Sequence, residues 1–358
     1  MPDLINALYS LPILGYVFQL AGYVLANLPV ISQTTVAVAV PITLAALTGV
    51  MCERSGIVNI GLEGIMLIAA FVGWAVGIVA VGMFPADPGP VFGATPALLI
   101  SLAAAILAGM AVSLLHAWLS ISLRVDQIIS GTIINIGAAG LTGYLNNLIS
   151  RQSPVGAGSF TPLSIPPEIA NLPLVGWLIN ALFGQGPIGV SSIVIVVVLQ
   201  ILLFRSRWGL RTRASGEHPR AAETVGIDVI WLRYRNVVLS GALAALGGAW
   251  LSMEQTNSFQ PGMTAGRGFI GLAAMIVGRW TPIGAFGAAL LFASATALST
   301  AIQIGPPSGE LGNVLASLPI QFWDALPYLI TIIVLAGLIG RSIPPAADGQ
   351  PYEREATT

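Results

Sequence analysis

Lysine is absent from all 358 residues, and every side chain of basic character is one of 14 arginines or two histidines. A chain without lysine has no Walker A phosphate loop, no Schiff-base nucleophile and no lysine general base, so it cannot act as its own phosphate-loop ATPase. Cysteine occurs once, at Cys52, which excludes an intrachain disulfide and any multi-cysteine metal site. That residue reads as a small apolar helix component. His116 and His218 are too few and too far apart for an HExxH helix or a histidine-rich metal centre. No aspartates pair at the close spacing that metal-dependent diphosphate chemistry requires. Neither a catalytic residue nor a metal site is expected.

Charge is scarce as well. Only 8% of residues are charged, 55% are hydrophobic and the mean hydropathy is +0.86, whereas a water-facing globular surface needs about 25% charged residues. A net charge of -1 argues against nucleic acid, whose phosphates call for a basic surface. What the sequence has in abundance is apolar runs. Measured against the roughly 20 residues needed to cross a bilayer core of about 30 Å, candidate spans lie near 10–31, 33–52, 57–84, 94–119, 127–149, 187–204, 236–253, 283–303 and 320–340, with a shorter piece at 266–280. The expected fold is therefore all-α: a polytopic membrane protein of nine or ten transmembrane helices, some of them discontinuous, the segment after Gly56 being broken at Gly61 and Gly64. No basic residue precedes Arg54, so the first apolar stretch lacks the flank of a secretory signal and reads as part of the mature protein.

Arginine also sets the orientation. Seven of the 14 fall between Arg205 and Arg235; holding them at mid-bilayer would cost on the order of 20 kcal/mol, which makes that loop cytoplasmic. Counting spans backwards, Glu53-Arg54-Ser55 and Arg124-Val125-Asp126 become cytoplasmic and the Pro-rich stretches 85–90 and 150–186 external. If 266–280 crosses or nearly crosses, both termini are cytoplasmic, which suits a tail carrying Arg341 and Arg354; without it the tail would lie outside. The expected organisation is one transmembrane domain over 1–340, containing the 205–235 loop, and a polar, disordered tail over 341–358. Residues 60–71 (IGLEGIMLIAAF) and 270–280 (IGLAAMIVGRW) share a start, a pointer to paired broken helices in two halves.

Polar side chains at membrane depth are the candidate pathway. Glu63 lies about seven residues beyond Gly56, roughly 10 Å into the membrane, where an ionised carboxylate is expensive. With Asn59 on the same face it either lines a translocation path or orders a helix junction. Ser130, Thr132 and Asn135 could add hydrogen-bonding groups to that path or join helices. Glu254, with Gln255 and Asn257, falls near the external face as a substrate contact or a solvated loop. Arg267 and Arg279 bracket the short apolar segment as anchors at the interface, where Phe259 and Trp280 could stack on a base or simply sit.

Three stretches taken together are more specific: ERSGIVNIGLEG at 53–64, GEHPRAAETVGID at 216–228 and TAGRGFIGLAAMIVGRWTPIGA at 264–285. From about residue 33 to 340 the chain resembles the permease subunits of ATP-binding-cassette importers in the ribose and branched-chain amino acid superfamily, and among them those working with basic-membrane-protein-type nucleoside-binding lipoproteins. The resemblance implies a multi-pass permease of the bacterial cytoplasmic membrane that translocates nucleosides inward. Its implied partners are a second permease, copy or paralogue, a cytoplasmic ATPase and an external binding lipoprotein, with no cofactor on this chain because ATP is used by the partner. It also implies an ATPase-coupling role for Pro219, Arg220, Ala221, Ala222, Glu223 and Gly226. Arg220 stands where the general importer motif has glutamate, and His218 where this branch has asparagine. Local physics independently supports a short surface helix: Pro219 suits the first position, Ala221, Ala222 and Val225 make a small apolar face, Gly226 supplies a left-handed stop and Asp228 caps the next span. Two alternatives stay open, a simple-sugar permease with the same architecture and an ion-coupled secondary transporter relaying protons through Glu63 and Asp324.

Overall fold

The computed structural model describes residues 14–84, 89, 92–150, 156–170, 172, 175–333, 336 and 342–353. Its helices are α1 (Leu14–Ala26), α2 (Leu28–Glu53), α3 (Leu62–Val81), α4 (Pro96–Ala117), α5 (Gln127–Ser150), α6 (Pro167–Ala170), α7 (Gly176–Phe183), α8 (Pro187–Arg205), α9 (Arg207–Glu217), α10 (Pro219–Thr224), α11 (Val229–Trp250), α12 (Arg267–Val277), α13 (Pro282–Ile304), α14 (Glu310–Ala316) and α15 (Ile320–Ile333). Two of them run on into π-helical turns, α4 through Ser122 and α11 through Gln255. No strand occurs among the described residues.

Helix starts follow from local chemistry. Thr95 accepts from the amide of Leu98 ahead of Pro96, Ser206 from Gly209 and Asp228 from Trp231, each removing one orphan donor of a first turn. Among the described residues seven helices are long and apolar enough to cross a membrane: Leu28–Glu53, Leu62–Val81, Pro96–Ser122, Gln127–Ser150, Pro187–Arg205, Val229–Gln255 and Pro282–Ile304. The expected all-α polytopic architecture is what the described residues show, with seven such helices among them against the nine or ten expected for the chain. The apolar piece at 266–280 forms the 11-residue α12, which rises only about 16 Å, half of a bilayer core. The first expected span becomes the 13-residue α1 followed by a turn at Asn27, its residues 10–13 lying outside the described ones. Of 320–340, α15 covers 14 residues, and residues 334–335 and 337–341 lie outside the described set. So do Arg341, Arg354, the side chain of Asp324, and parts of 85–90 and 150–186.

The chain divides into two compact units. One comprises residues 1–39, 164–184 and 290–338. Within it Tyr23 donates to the carbonyl of Gly305 at 2.8 Å, and Phe322 meets Trp323 edge to face at 5.5 Å. The other comprises 40–163, 185–289 and 339–358; there α11 packs on α3 and α4, and α3 on α4 and α5. These contacts are made through small residues. A Cβ on Gly248 of α11 would stand 2.0 Å from the carbonyl oxygen of Met66 on α3, and one on Gly109 of α4 would stand 2.7 Å from the carbonyl oxygen of Gly241. Lipid gives no hydrophobic reward for bringing apolar helices together, so backbone approach of this kind supplies the packing energy instead.

Candidate functional site

Between α2 and α3 the chain leaves helical geometry over 54–61, so groups such as the Val58 amide and the Val58 and Ile60 carbonyls lose their intrahelical partners. In a membrane each such group costs several kcal/mol unless the protein supplies a partner. Polar side chains from two neighbouring helices do so. Gln127 accepts from the amide of Val58 at 2.7 Å, and His116 donates through Nε2 to the Val58 carbonyl at 3.0 Å. A carbonyl only accepts, so Nε2 bears the proton and Nδ1 accepts from the Ser130 hydroxyl at 3.0 Å. Asn135 accepts from the Gly64 amide at 2.7 Å and donates to the Ile60 carbonyl at 3.0 Å, while Asn59, fully buried, accepts from Gly61 at 3.0 Å. Room for this knot comes from glycine: a Cβ on Gly131 would lie 2.7 Å from the Gly61 amide nitrogen.

The same link clamps the short helix α12 at both ends. Glu63 accepts from the amides of Gly266 and Gly268 with its two carboxylate oxygens, each at 2.7 Å. At the other end Arg54 donates through Nε to the carbonyl of Trp280 at 2.9 Å and through Nη2 to that of Arg279 at 3.2 Å. An acid at the N-terminus and a cation at the C-terminus match the helix dipole. Residues 53–64 and 264–285, read separately in the sequence, are thus two sides of one assembly. Glu63 is spent on the helix start, and the first turn of α12 already has its anion.

The remaining pathway candidates separate. Thr132 is exposed on α5, its hydroxyl bonded back to the Ile128 carbonyl at 2.8 Å. Glu254, in the π-helical end of α11, accepts from the amides of Ile188 and Gly189 and so caps α8. Its carboxylate lies 2.5 Å from where a Cβ on Gly186 would stand. Phe259 is buried against Phe71 at 5.2 Å and Trp74 at 6.0 Å. Trp280 is buried and donates to Glu53. Of the sequence candidates, Asn59, Glu63, Ser130 and Asn135 come together around the α2–α3 link and α12, while Thr132 and Glu254 lie apart from it.

At the arginine-rich end, α10 is a six-residue helix led by Pro219. Gly226, at φ +84°, ends it with its amide on the Glu223 carbonyl at 2.8 Å. The two alanines are not equivalent. Ala222 is 3% exposed, packed into the chain, while Ala221 is exposed and Val225 is 75% exposed. The outward apolar face is therefore Ala221 and Val225, and Ala222, grouped with Ala221 in the sequence reading, serves the interior. Residues 342–353 carry structure that composition does not suggest. Ala347 donates to the Gly216 carbonyl at 2.8 Å and Ala346 to the Glu217 carboxylate at 3.1 Å. Arg233 donates to the Gln350 carbonyl at 3.1 Å, Tyr352 to Glu223, and Arg124 pairs with Glu353. Burial pushes the Asp348 carboxyl up to about 6. Gly56, at φ +91°, leaves the space that the Arg233 guanidinium fills, since a Cβ there would meet Nη2 at 2.5 Å. Sequence reasoning missed His116, Gln127, Arg54, Arg233 and Asp348 as junction residues. Polar residues flanking or interrupting apolar runs were the available signal for the first four, and Asp348 had none.

Residues 31–335 match the family described as the branched-chain amino acid transport system permease component. The chain belongs to this permease family. Relatives of the permease include the nucleoside ABC transporter permease protein NupC of Lactococcus lactis, 37% identical over 330 residues, which are 92% of this chain and 98% of the relative. The guanosine ABC transporter permease protein NupQ of Bacillus subtilis is 38% identical over 327 residues, 91% of this chain and 97% of its own. TsgC13 of Haloferax volcanii, whose name assigns it provisionally to glucose, is 32% identical over 337 residues, 90% of this chain and 97% of its own. Family membership makes the chain a multi-pass membrane component of an ABC transport system, in which ATPase and substrate-binding components are separate partners.

Proposed function

We propose that this permease passes nucleosides inward across the cytoplasmic membrane, receiving them from an external binding lipoprotein and driven by a cytoplasmic ATPase that docks on α10. The observation that carries the substrate class is the similarity to two permeases named for nucleoside and guanosine over more than nine-tenths of both chains. A proline-led six-residue helix with Ala221 and Val225 turned outward supports the docking role, and the arginine-rich composition of its loop supports a cytoplasmic position for it. A second permease, copy or paralogue, completes the pathway. The chain itself hydrolyses nothing and binds no cofactor, since ATP is used by the partner.

In proteoliposomes holding the permease with its co-purified partners, labelled nucleoside should accumulate only when ATP reaches the ATPase side. Uridine, adenosine and guanosine should compete for uptake and free ribose or glucose should not. Competition by the sugars alone would move the assignment to a sugar permease. Uptake on a proton or sodium gradient without ATPase would make the chain a secondary transporter. For the docking surface, Val225→Glu changes an exposed side chain and should leave membrane abundance unchanged. Burying its charge unpaired in the interface costs about 3 kcal/mol or more, so ATPase association should weaken by more than 100-fold. Full association would remove α10 from the interface.

A further inference from the structure

The six residues of α10 span only about 9 Å, and one of them, Ala222, faces inward. A stable protein–protein interface takes about 800 Å² and 20–30 residues from each side, more than this helix can offer. The neighbouring surface is supplied by the C-terminal segment. A cleft of about 850 Å³ runs between Glu217–Ala221 on one wall and Ala346, Ala347 and Gln350–Glu353 on the other. The second wall is fixed by chemistry. A backbone bond joins Ala347 to Gly216, the Arg233 guanidinium donates to the Gln350 carbonyl, and side chains join Tyr352 to Glu223 and Glu353 to Arg124. These partners lie on α9, α10, α11 and the link before α5, so the segment is tied to α9, to α11 and to that link as well as to α10. A surface already ordered before its partner arrives loses little conformational entropy on binding.

We propose that residues 345–353 and α10 together form the docking surface for the ATPase subunit, with an element of that subunit seated in the cleft between them. The inference rests on the assignment of α10 as the coupling helix. Pro351 is exposed and lines the cleft, and none of the bonds named above uses it, so Pro351→Arg fills the cleft with bulk and charge without touching those bonds. Chain termination after Pro344 removes the wall altogether.

The test measures ATPase co-purification from membranes for Pro351→Arg, the truncation and Val225→Glu, each normalised to permease abundance. The expected result is a loss of tenfold or more in associated ATPase for all three, with Pro351→Arg at normal abundance. Should the truncated chain fail to insert, Pro351→Arg decides alone. Wild-type association in Pro351→Arg at normal abundance, with association lost in Val225→Glu, would overturn the composite surface while leaving α10 as the coupling helix. Wild-type association in all three would overturn both.

Discussion

Replacing Glu63 with alanine is expected to destabilise the permease by roughly 2–6 kcal/mol, since two amides at the start of α12 then lose their acceptor at membrane depth and each unsatisfied donor costs about 1–3 kcal/mol. Both bonds are short, at 2.7 Å, and made to a carboxylate. Glutamine should give a smaller loss, because one amide keeps an oxygen while the other faces an NH₂ group. The check is thermal stability of the purified protein in detergent beside uptake kinetics. A stabilising cap predicts lower stability and lower abundance for both variants, with an unchanged KM in the protein that survives. Normal stability with a raised KM would instead put Glu63 on the translocation path and undo its assignment to the helix start.

The second large effect is expected at Gly248. A methyl group there would stand 2.0 Å from the Met66 carbonyl oxygen and 3.0 Å from the Ala70 amide nitrogen. Both obstacles are backbone within one helix, so neither can swing aside, and α11 must move away from α3 along their contact. Overpacking of this kind costs about 1–3 kcal/mol even where side chains can adjust, so Gly248→Ala should exceed that range and leave little folded permease in the membrane. Gly137 on α5 is the control, since nothing lies within 4 Å of the Cβ it would gain. Gly137→Ala should be neutral or stabilising by up to about 1 kcal/mol, as alanine outranks glycine in a helix. Equal abundance of the two variants in quantitative membrane blots would contradict the tight α3–α11 crossing.

The similarity to nucleoside permeases and the polar junction answer different questions. Asn59, Ser130 and Asn135 were pathway candidates; in the structure Asn59 and Asn135 bond the irregular backbone between α2 and α3, and Ser130 bonds the His116 ring that meets the Val58 carbonyl there. A broken membrane helix needs such partners wherever it occurs. The junction therefore explains how Glu63 and Arg54 are held at the two ends of α12, and substrate choice stays with the proposal drawn from the relatives.

The sequence alone determined the class. Almost no charge, no lysine and repeated apolar runs leave lipid as the only solvent, and helix as the structure that satisfies its own backbone there. It also determined the limits of α10, because Pro219, Gly226 and Asp228 act on the backbone within a few residues of themselves. Span number was legible only where an apolar run coincided with one unbroken helix. Composition cannot separate the 11-residue α12 from helices that cross. What only the tertiary structure decided was partnership across long separations. Glu63 meets Gly268 from 205 residues away, and whether a buried polar group faces a substrate or an orphaned amide depends on what the fold puts beside it. The same holds at Ala221 and Ala222, adjacent and chemically identical, of which packing turns one outward and the other in. It holds for the C-terminal segment too, which has no apolar run to signal order. Its structure comes from hydrogen bonds and ion pairs to groups on distant helix ends, and such bonds leave no local pattern in a sequence.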